Sequence, residues 1–341
     1  MNKIDLNNRV SVDGEFQSQK KIEKWYVEEF AQEIKDRLNV LRKKFDASSA
    51  EFRLIGVLAR KIEKVLLYSP DEMYAHNKMK HRYRYVENES THMYSRNPNN
   101  PKDPGDTFSN IIQKAIGYKY YREKGRLVDL AKKINVKVCP YCNMQYTLVA
   151  DENSKTLARF QFDHFLDKKD YPWFSMSLYN LIPSCAECNV VKSTGTLGLK
   201  FHPYKSDIYK QFVFRIPNTE EVLYDKQEKD DINIDMIPQN ATSRELYEYN
   251  QMFHIKTLYQ RHGDIAREVF EKAYQYPYWS NSQNYKSWVP KYSPMNQLRM
   301  CLGTYVRQEE IDKRPMTKFI QDLWEQARGK PIDAEIRLED E

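Results

Sequence analysis

Two cysteine pairs constrain this chain more than any other feature. They are Cys139-Pro140-Tyr141-Cys142 and Cys185-Ala186-Glu187-Cys188. A two-residue spacer turns both thiolates of a pair toward one ion, and four thiolates complete a tetrahedral, closed Zn²⁺ site. In a reducing compartment this pattern reads as metal before disulfide. A closed site has no open coordination position, so the ion is expected to be structural. Residues 143–184, 42 in all, separate the pairs. An ordinary zinc ribbon places only ~15–20 residues there, so further structure is expected between the knuckles. The fifth cysteine, Cys301, has no partner nearby in sequence and reads as an ordinary buried thiol.

Helical patterns dominate outside that segment. Ile22, Trp25, Tyr26, Phe30, Ile34, Leu38, Leu41 and Phe45 recur at steps of three and four, one stripe on a long helix. Ser48 and Glu51 form a capping box for a second helix carrying Phe52, Ile55, Leu58, Ile62, Val65 and Leu66, and the two could pack as a hairpin. Residues 96–107, RNPNNPKDPGDT, read as a loop. One or two helices follow, with an interruption near Gly117 or Gly125. MQYTLV and LARFQF are strand-like and are joined by the turn DENSK. Thr242 and Glu245 form a capping box for a long helix with a break at Gly263, and a last helix near 316–328 ends at Gly329.

The 341 residues suit two domains, or one elaborated domain. With 40% apolar residues and 30% charged residues of both signs, the chain can bury a core and is not globally disordered. No run approaches the ~20 apolar residues of a membrane span, and MNKIDLNNRVSVDGEFQ has no apolar core of a secretory signal. The expectation is a cytoplasmic protein with no membrane contact. The net charge of +6 is mild and proves nothing about nucleic acid by itself.

The chemistry sits between and beside the knuckles. Metal-assisted hydrolysis needs an activated water, neutralised charge on the group attacked and a protonated leaving oxygen. A histidine with an ordinary pKa near ~6.5 is a suitable base. At a strand end, His164 and its neighbour Asp163 can face one cleft, with Asp163 holding a hard cation through oxygen. Asn189 directly follows the last zinc cysteine, so the zinc site would hold it rigidly. It is expected to open a short helix, 189–193, facing Asp163.

The string C-P-Y-C … D-H-F … Y-P … N-L-I-P-S-C-x-x-C-N-x-x-K-S resembles the HNH endonuclease superfamily. More narrowly it resembles the four-cysteine branch, whose knuckles clamp a ββα-metal core. The resemblance covers about residues 137–205, a fifth of the chain. It implies an α+β fold: a mostly helical chain with an embedded HNH domain braced by a Cys₄ zinc site. The segments are then 1–95 (helical), 96–136 (linker and basic lead-in), 137–205 (nuclease) and 206–341 (helical).

By that resemblance His164 matches the general base and Asp163 the acidic metal ligand. Asn180 matches the central asparagine that holds the loop and orients the histidine. Asn189 matches the last position, where the family name has histidine. Asparagine offers a carbonyl oxygen, so Mg²⁺ or Mn²⁺ is expected there rather than an imidazole-loving ion. Lys192 either contacts phosphate or is an ordinary solvated lysine. His202 is either a further ligand or phosphate contact, or a structural histidine.

Residues 76–137 hold 14 Lys or Arg against 6 Asp or Glu. Within them His81-Arg82-Tyr83-Arg84-Tyr85 and Tyr118-Lys119-Tyr120-Tyr121-Arg122 interleave cations with rings. Arg82, Arg84, Lys119 and Arg122 are therefore candidate nucleic-acid contacts, against the plainer reading of a solvated basic helix face. The function expected is a metal-dependent DNA endonuclease. An RNA-cleaving nuclease or toxin, or a zinc-stabilised binding module without cleavage, are the alternatives. Proteins of this branch with helical flanks resemble restriction-like or antiphage effectors, which implies a separate ATPase or sensor chain as partner. No G-x-x-x-x-G-K-[ST] motif occurs here. Homo-oligomerisation stays open.

Overall fold

The computed structural model describes residues 3–7, 9–76, 106–152, 155–220, 232–281 and 293–337. The chain is α+β and mostly helical, with small antiparallel two-stranded sheets. It divides into two compact units. The first is Ile4–Asn135 with Leu148–Lys205; the second is Met1–Lys3, Val136–Thr147 and Ser206–Glu341. Among the described residues, no helix is long and apolar enough to cross a membrane.

The first unit opens with a small hairpin, β1 (Arg9–Val10) and β2 (Phe16–Gln17). Helix α1 (Gln19–Arg42) follows, N-capped by Ser18. The apolar stripe explains its packing: Ile22, Tyr26, Phe30, Ile34, Leu38 and Leu41 are all buried. It packs most extensively against α2 (Ala50–Arg60) and also against α3 (Ile62–Leu66). The cap of α2 is Ser49, which accepts from the Phe52 amide, rather than Ser48. Ser48 instead turns its amide and hydroxyl to Asp46, which ends the preceding loop. Helix α4 (Pro70–Ala75) carries a full capping box at Ser69 and Glu72.

The interruption expected near Gly117 or Gly125 occurs at both, so the next stretch forms three helices where one or two were expected. Gly117 separates α5 (Phe108–Ile116) from α6 (Tyr118–Glu123), and Gly125 separates α6 from α7 (Arg126–Ile134). Their φ angles, 86° and 74°, lie in the left-handed region that glycine adopts without a Cβ penalty. The first strand begins later than the pattern predicts and the second earlier: β3 is Val149–Glu152 and β4 is Lys155–Ala158, so Asp151, Glu152 and Lys155 of the expected turn lie in strands. Residues 144–148 lie outside that hairpin, apart from a single bridge between Val138 and Tyr146. Strand β5 (Gln161–His164) pairs antiparallel with β6 (Leu181–Ser184), and Asp163 lies opposite Ile182. Helix α8 (Ala186–Lys192) packs against β5, completing a ββα arrangement of β5, β6 and α8.

The second unit pairs β7 (Phe212–Arg215) with β8 (Asp235–Pro238). Helix α9 (Ser243–Phe253) has the capping box at Thr242 and Glu245. The break expected at Gly263 is present, between α10 (Ile255–Gln260) and α11 (Gly263–Asn281). A second break, not expected from the sequence, falls at His254, whose φ of 52° separates α9 from α10. Helices α12 (Pro294–Leu302), α13 (Thr317–Arg328) and α14 (Ile332–Arg337) close the unit, and Gly329 ends α13 at a φ of 65°. Cys301 is buried on α12. The core is aromatic. Phe214 meets Tyr259 at 4.5 Å and Phe319 at 5.4 Å, and Trp324 meets Tyr276 at 5.4 Å.

Candidate functional site

Cys139, Cys142, Cys185 and Cys188 are all buried, and their sulfurs lie within 4.8 Å of one another. A tetrahedral ion with Zn–S bonds of ~2.3 Å holds thiolates ~3.8 Å apart, so this group could bind zinc with little adjustment. Both knuckles have the local hydrogen bond that steadies a thiolate. The Met144 amide donates to Cys142 Sγ and the Cys188 amide to Cys185 Sγ, each at 3.4 Å. The turn at Cys139–Cys142 needs Asn143 in the left-handed region, φ 55°, and Asn143 is also an anchor. Its Nδ2 donates to Ile311 O at 2.9 Å and its Oδ1 accepts from the Lys318 amide at 3.1 Å. Tyr249 donates its hydroxyl to Tyr141 O, and Tyr259 to Cys142 O at 2.8 Å. These three anchors carry no spacing signal, and sequence reading misses them.

The ββα element presents Asp163 and His164 at the end of β5. Both line a cavity of about 560 Å³. His164 is buried, and its Nε2 lies 3.0 Å from Ser175 O. A carbonyl oxygen only accepts, so Nε2 carries the proton and Nδ1 keeps the lone pair. The ring is set edge-on to Tyr118, 4.4 Å between centroids. Burial, reinforced by the nearby Lys168 ammonium, pushes the His164 pKa down to about 3. The imidazole is therefore neutral at pH 7.

Asn180 is fully buried and latches the loop behind His164. Its Oδ1 accepts from the Leu166 amide at 2.7 Å, and its Nδ2 donates to Leu166 O and Phe174 O, both at 3.0 Å. Its backbone carbonyl also accepts from the Phe165 amide. Asn189 lines the cavity and donates Nδ2 to Gln161 Oε1 at 2.5 Å, leaving its own carbonyl oxygen as an acceptor. It does not open the helix, however. Cys185 caps α8, so Asn189 sits on the second turn.

Lys192 departs most from expectation. Its side chain is fully buried, with Nζ 3.1 and 3.2 Å from the two Asp163 carboxylate oxygens and 2.8 Å from His164 O. It is neither a solvated lysine nor a cation offered to an incoming phosphate. It ties the end of α8 to the end of β5. His202 is also enclosed: its Nδ1 accepts from the Tyr204 amide, and its ring packs 4.1 Å from Phe165. Burial lowers its pKa to about 3. It does not line the cavity.

The basic stretch divides. Tyr118 and Arg122 line the cavity, but Lys119 pairs with Glu123 on the exposed face and Tyr120 stacks under Arg37. Arg82 and Arg84 lie outside the described residues. Lys168 and Lys169 line the cavity and were not singled out from sequence. The Lys168 ammonium stands 5.2 Å over the Tyr118 ring, and its pKa is lowered by burial and by Arg122. Three cations thus ring a neutral histidine, with Asp163 and Asp167 as the carboxylates of the lining.

Comparison with protein-family models, with curated proteins and with solved structures gives no significant match.

Proposed function

We propose that the chain is a metal-dependent endonuclease of the HNH type that hydrolyses phosphodiester bonds in DNA. The observation that carries this reading is the geometry of His164, oriented through Nε2 on Ser175 O so that Nδ1 is left as the acceptor, in a cavity with Arg122, Lys168 and Lys169. A base, an adjacent carboxylate and cations for phosphate charge are the parts such hydrolysis requires.

In this reading His164 Nδ1 takes a proton from water as the water oxygen bonds to phosphorus. The bond from phosphorus to the leaving sugar oxygen breaks, and that oxygen takes its proton from solvent. Arg122 and Lys168 neutralise the phosphate. Asn180 keeps the loop and Ser175 O in place, which fixes the tautomer. Asp163 and Asn189 carry side-chain oxygens on one cavity, chemistry that suits Mg²⁺ or Mn²⁺, and a cation there would share the Asp163 carboxylate with the Lys192 ammonium. Among the described residues the cysteines are the one group of three or more His, Cys, Asp or Glu donors. A cation at Asp163 would therefore take most remaining ligands from water and substrate. When bound it would supply Lewis-acid stabilisation of the phosphate. The knuckles suit a structural Zn²⁺ that holds Asn189 through Cys188. An effector role in defence against foreign DNA, with a separate ATPase or sensor chain, is the setting implied by the family resemblance.

The test pairs zinc content with cleavage of supercoiled plasmid by wild type and His164→Ala, in Mg²⁺, Mn²⁺ or EDTA. About one zinc per chain in both proteins, and nicking by wild type alone that EDTA abolishes, is the expected result. Equal nicking by both proteins would remove His164 as the base. Zinc-loaded wild type that cuts neither DNA nor RNA, alone or with its partner, would leave a binding module.

A further inference from the structure

The lining of the catalytic cavity has an apolar share that phosphate hydrolysis does not require. Val128, Ala158 and Phe160 lie on the same cavity as Arg122 and Lys168. Phe160 is half-buried, and its ring is braced edge-on against Phe162, 5.0 Å between centroids at 80°. An aromatic held in that way keeps one orientation and leaves part of its surface to the cavity. The cavity volume, about 560 Å³, falls in the ~300–1,000 Å³ range of pockets that enclose one small-molecule-sized unit. A duplex is too large to enter such a pocket, and its base faces are stacked inside the helix. Only its sugar-phosphate backbone could meet this lining, and that backbone has no flat apolar surface to set against Phe160.

We propose that the cavity receives one unpaired nucleotide, its base on Phe160 and its phosphate between Arg122 and Lys168, so that the preferred substrate is single-stranded or locally opened DNA. This rests on the nuclease reading above and names the substrate class for that site. The physical basis is division of labour. The cations hold the backbone regardless of sequence, and the ring stacks any base, since every base has a π-face. The pattern predicts low sequence preference and strong strandedness preference.

The test is binding in EDTA, so that no cleavage is needed. Wild type, Phe160→Ala and Phe160→Trp are titrated against one oligodeoxynucleotide labelled with fluorescein, single-stranded or annealed to its complement. Single strands are expected to bind more than 10-fold tighter than duplex. Phe160→Ala should lose roughly 5- to 150-fold for single strands, the range of one base–aromatic stack, and less than 2-fold for duplex. Phe160→Trp should keep the wild-type preference. A melting curve for each variant establishes that it is folded. Equal affinity for the two forms, no binding to either, or an equal loss on both from Phe160→Ala would overturn the proposal. The two readings fail separately. A protein that prefers single strands but never cleaves loses the nuclease function and keeps this pocket. A protein that nicks plasmid and is indifferent to Phe160 keeps the nuclease and loses the pocket.

Discussion

Replacing Lys192 with methionine tests how the candidate site is held together. Methionine preserves the length and apolar stem of the side chain while deleting the ammonium. The lysine side chain is 0% exposed and that of its partner Asp163 3%, with Nζ within 3.2 Å of both carboxylate oxygens. Removing one member of a buried ion pair costs ~3–5 kcal/mol, because the other charge stays enclosed without it. In a folding unit of ~150–250 residues, 1 kcal/mol lowers Tm by ~2–4 °C, so Lys192→Met should melt about 6–20 °C below wild type. Calorimetry on the full chain measures this directly. The double variant Asp163→Asn with Lys192→Met removes both charges and should recover much of the loss, a coupling of ~2 kcal/mol or more. A Lys192→Met protein melting within ~2–4 °C of wild type would refute the argument. It would mean that the ammonium is free in water, as the sequence alone allows.

Three further outcomes follow from the geometry. Asn180→Ala removes three buried hydrogen bonds from the side chain to the backbone groups of Leu166 and Phe174, so unfolding in urea should show a loss of ~2–4 kcal/mol; a loss below ~0.5 kcal/mol would mean the loop holds itself. His164 and His202 both stay neutral in the fold down to about pH 3, while in the unfolded chain they protonate near ~6.5. Their contribution to stability is thus whole above ~6.5 and falls as pH drops toward 3, by up to ~1.4 kcal/mol per pH unit for each proton. His202→Asn should flatten the slope between pH 6 and 4 by about one proton, and an unchanged slope would contradict the burial argument. Finally, Arg122→Ala should weaken DNA binding and reduce its salt slope by about 1, whereas Lys119→Ala, whose cation lies on the exposed face with Glu123, should change neither.

Periodicity and caps were legible in the chain because they are local. The α1 stripe, the Thr242 box, the breaks at Gly117 and Gly125 and the end at Gly329 each depend on residues a few positions apart. The errors were local competitions settled by small energies. Ser49 caps in place of Ser48 because Asp46 occupies the latter, and His254 takes a left-handed conformation that composition does not announce. The spacing of Cys139, Cys142, Cys185 and Cys188 marked four thiolates for one ion, since a two-residue spacer has few ways to orient its sulfurs.

What tertiary structure alone decided is which polar groups share an environment. Lys192 and Asp163 are 29 positions apart, and nothing in either neighbourhood says that the lysine would be enclosed. Lys168 and Lys169 look like any exposed pair, and only the loop latched by Asn180 brings them to the cavity of His164. Tyr118 and Arg122 line that cavity while Lys119 does not, because a helix points successive side chains about 100° apart and packing selects the face. The protonation of His164 follows the same rule. The residue type sets a pKa near ~6.5, and burial moves it to about 3. Desolvation belongs to the place where a group is buried, and that place exists only once distant segments have packed.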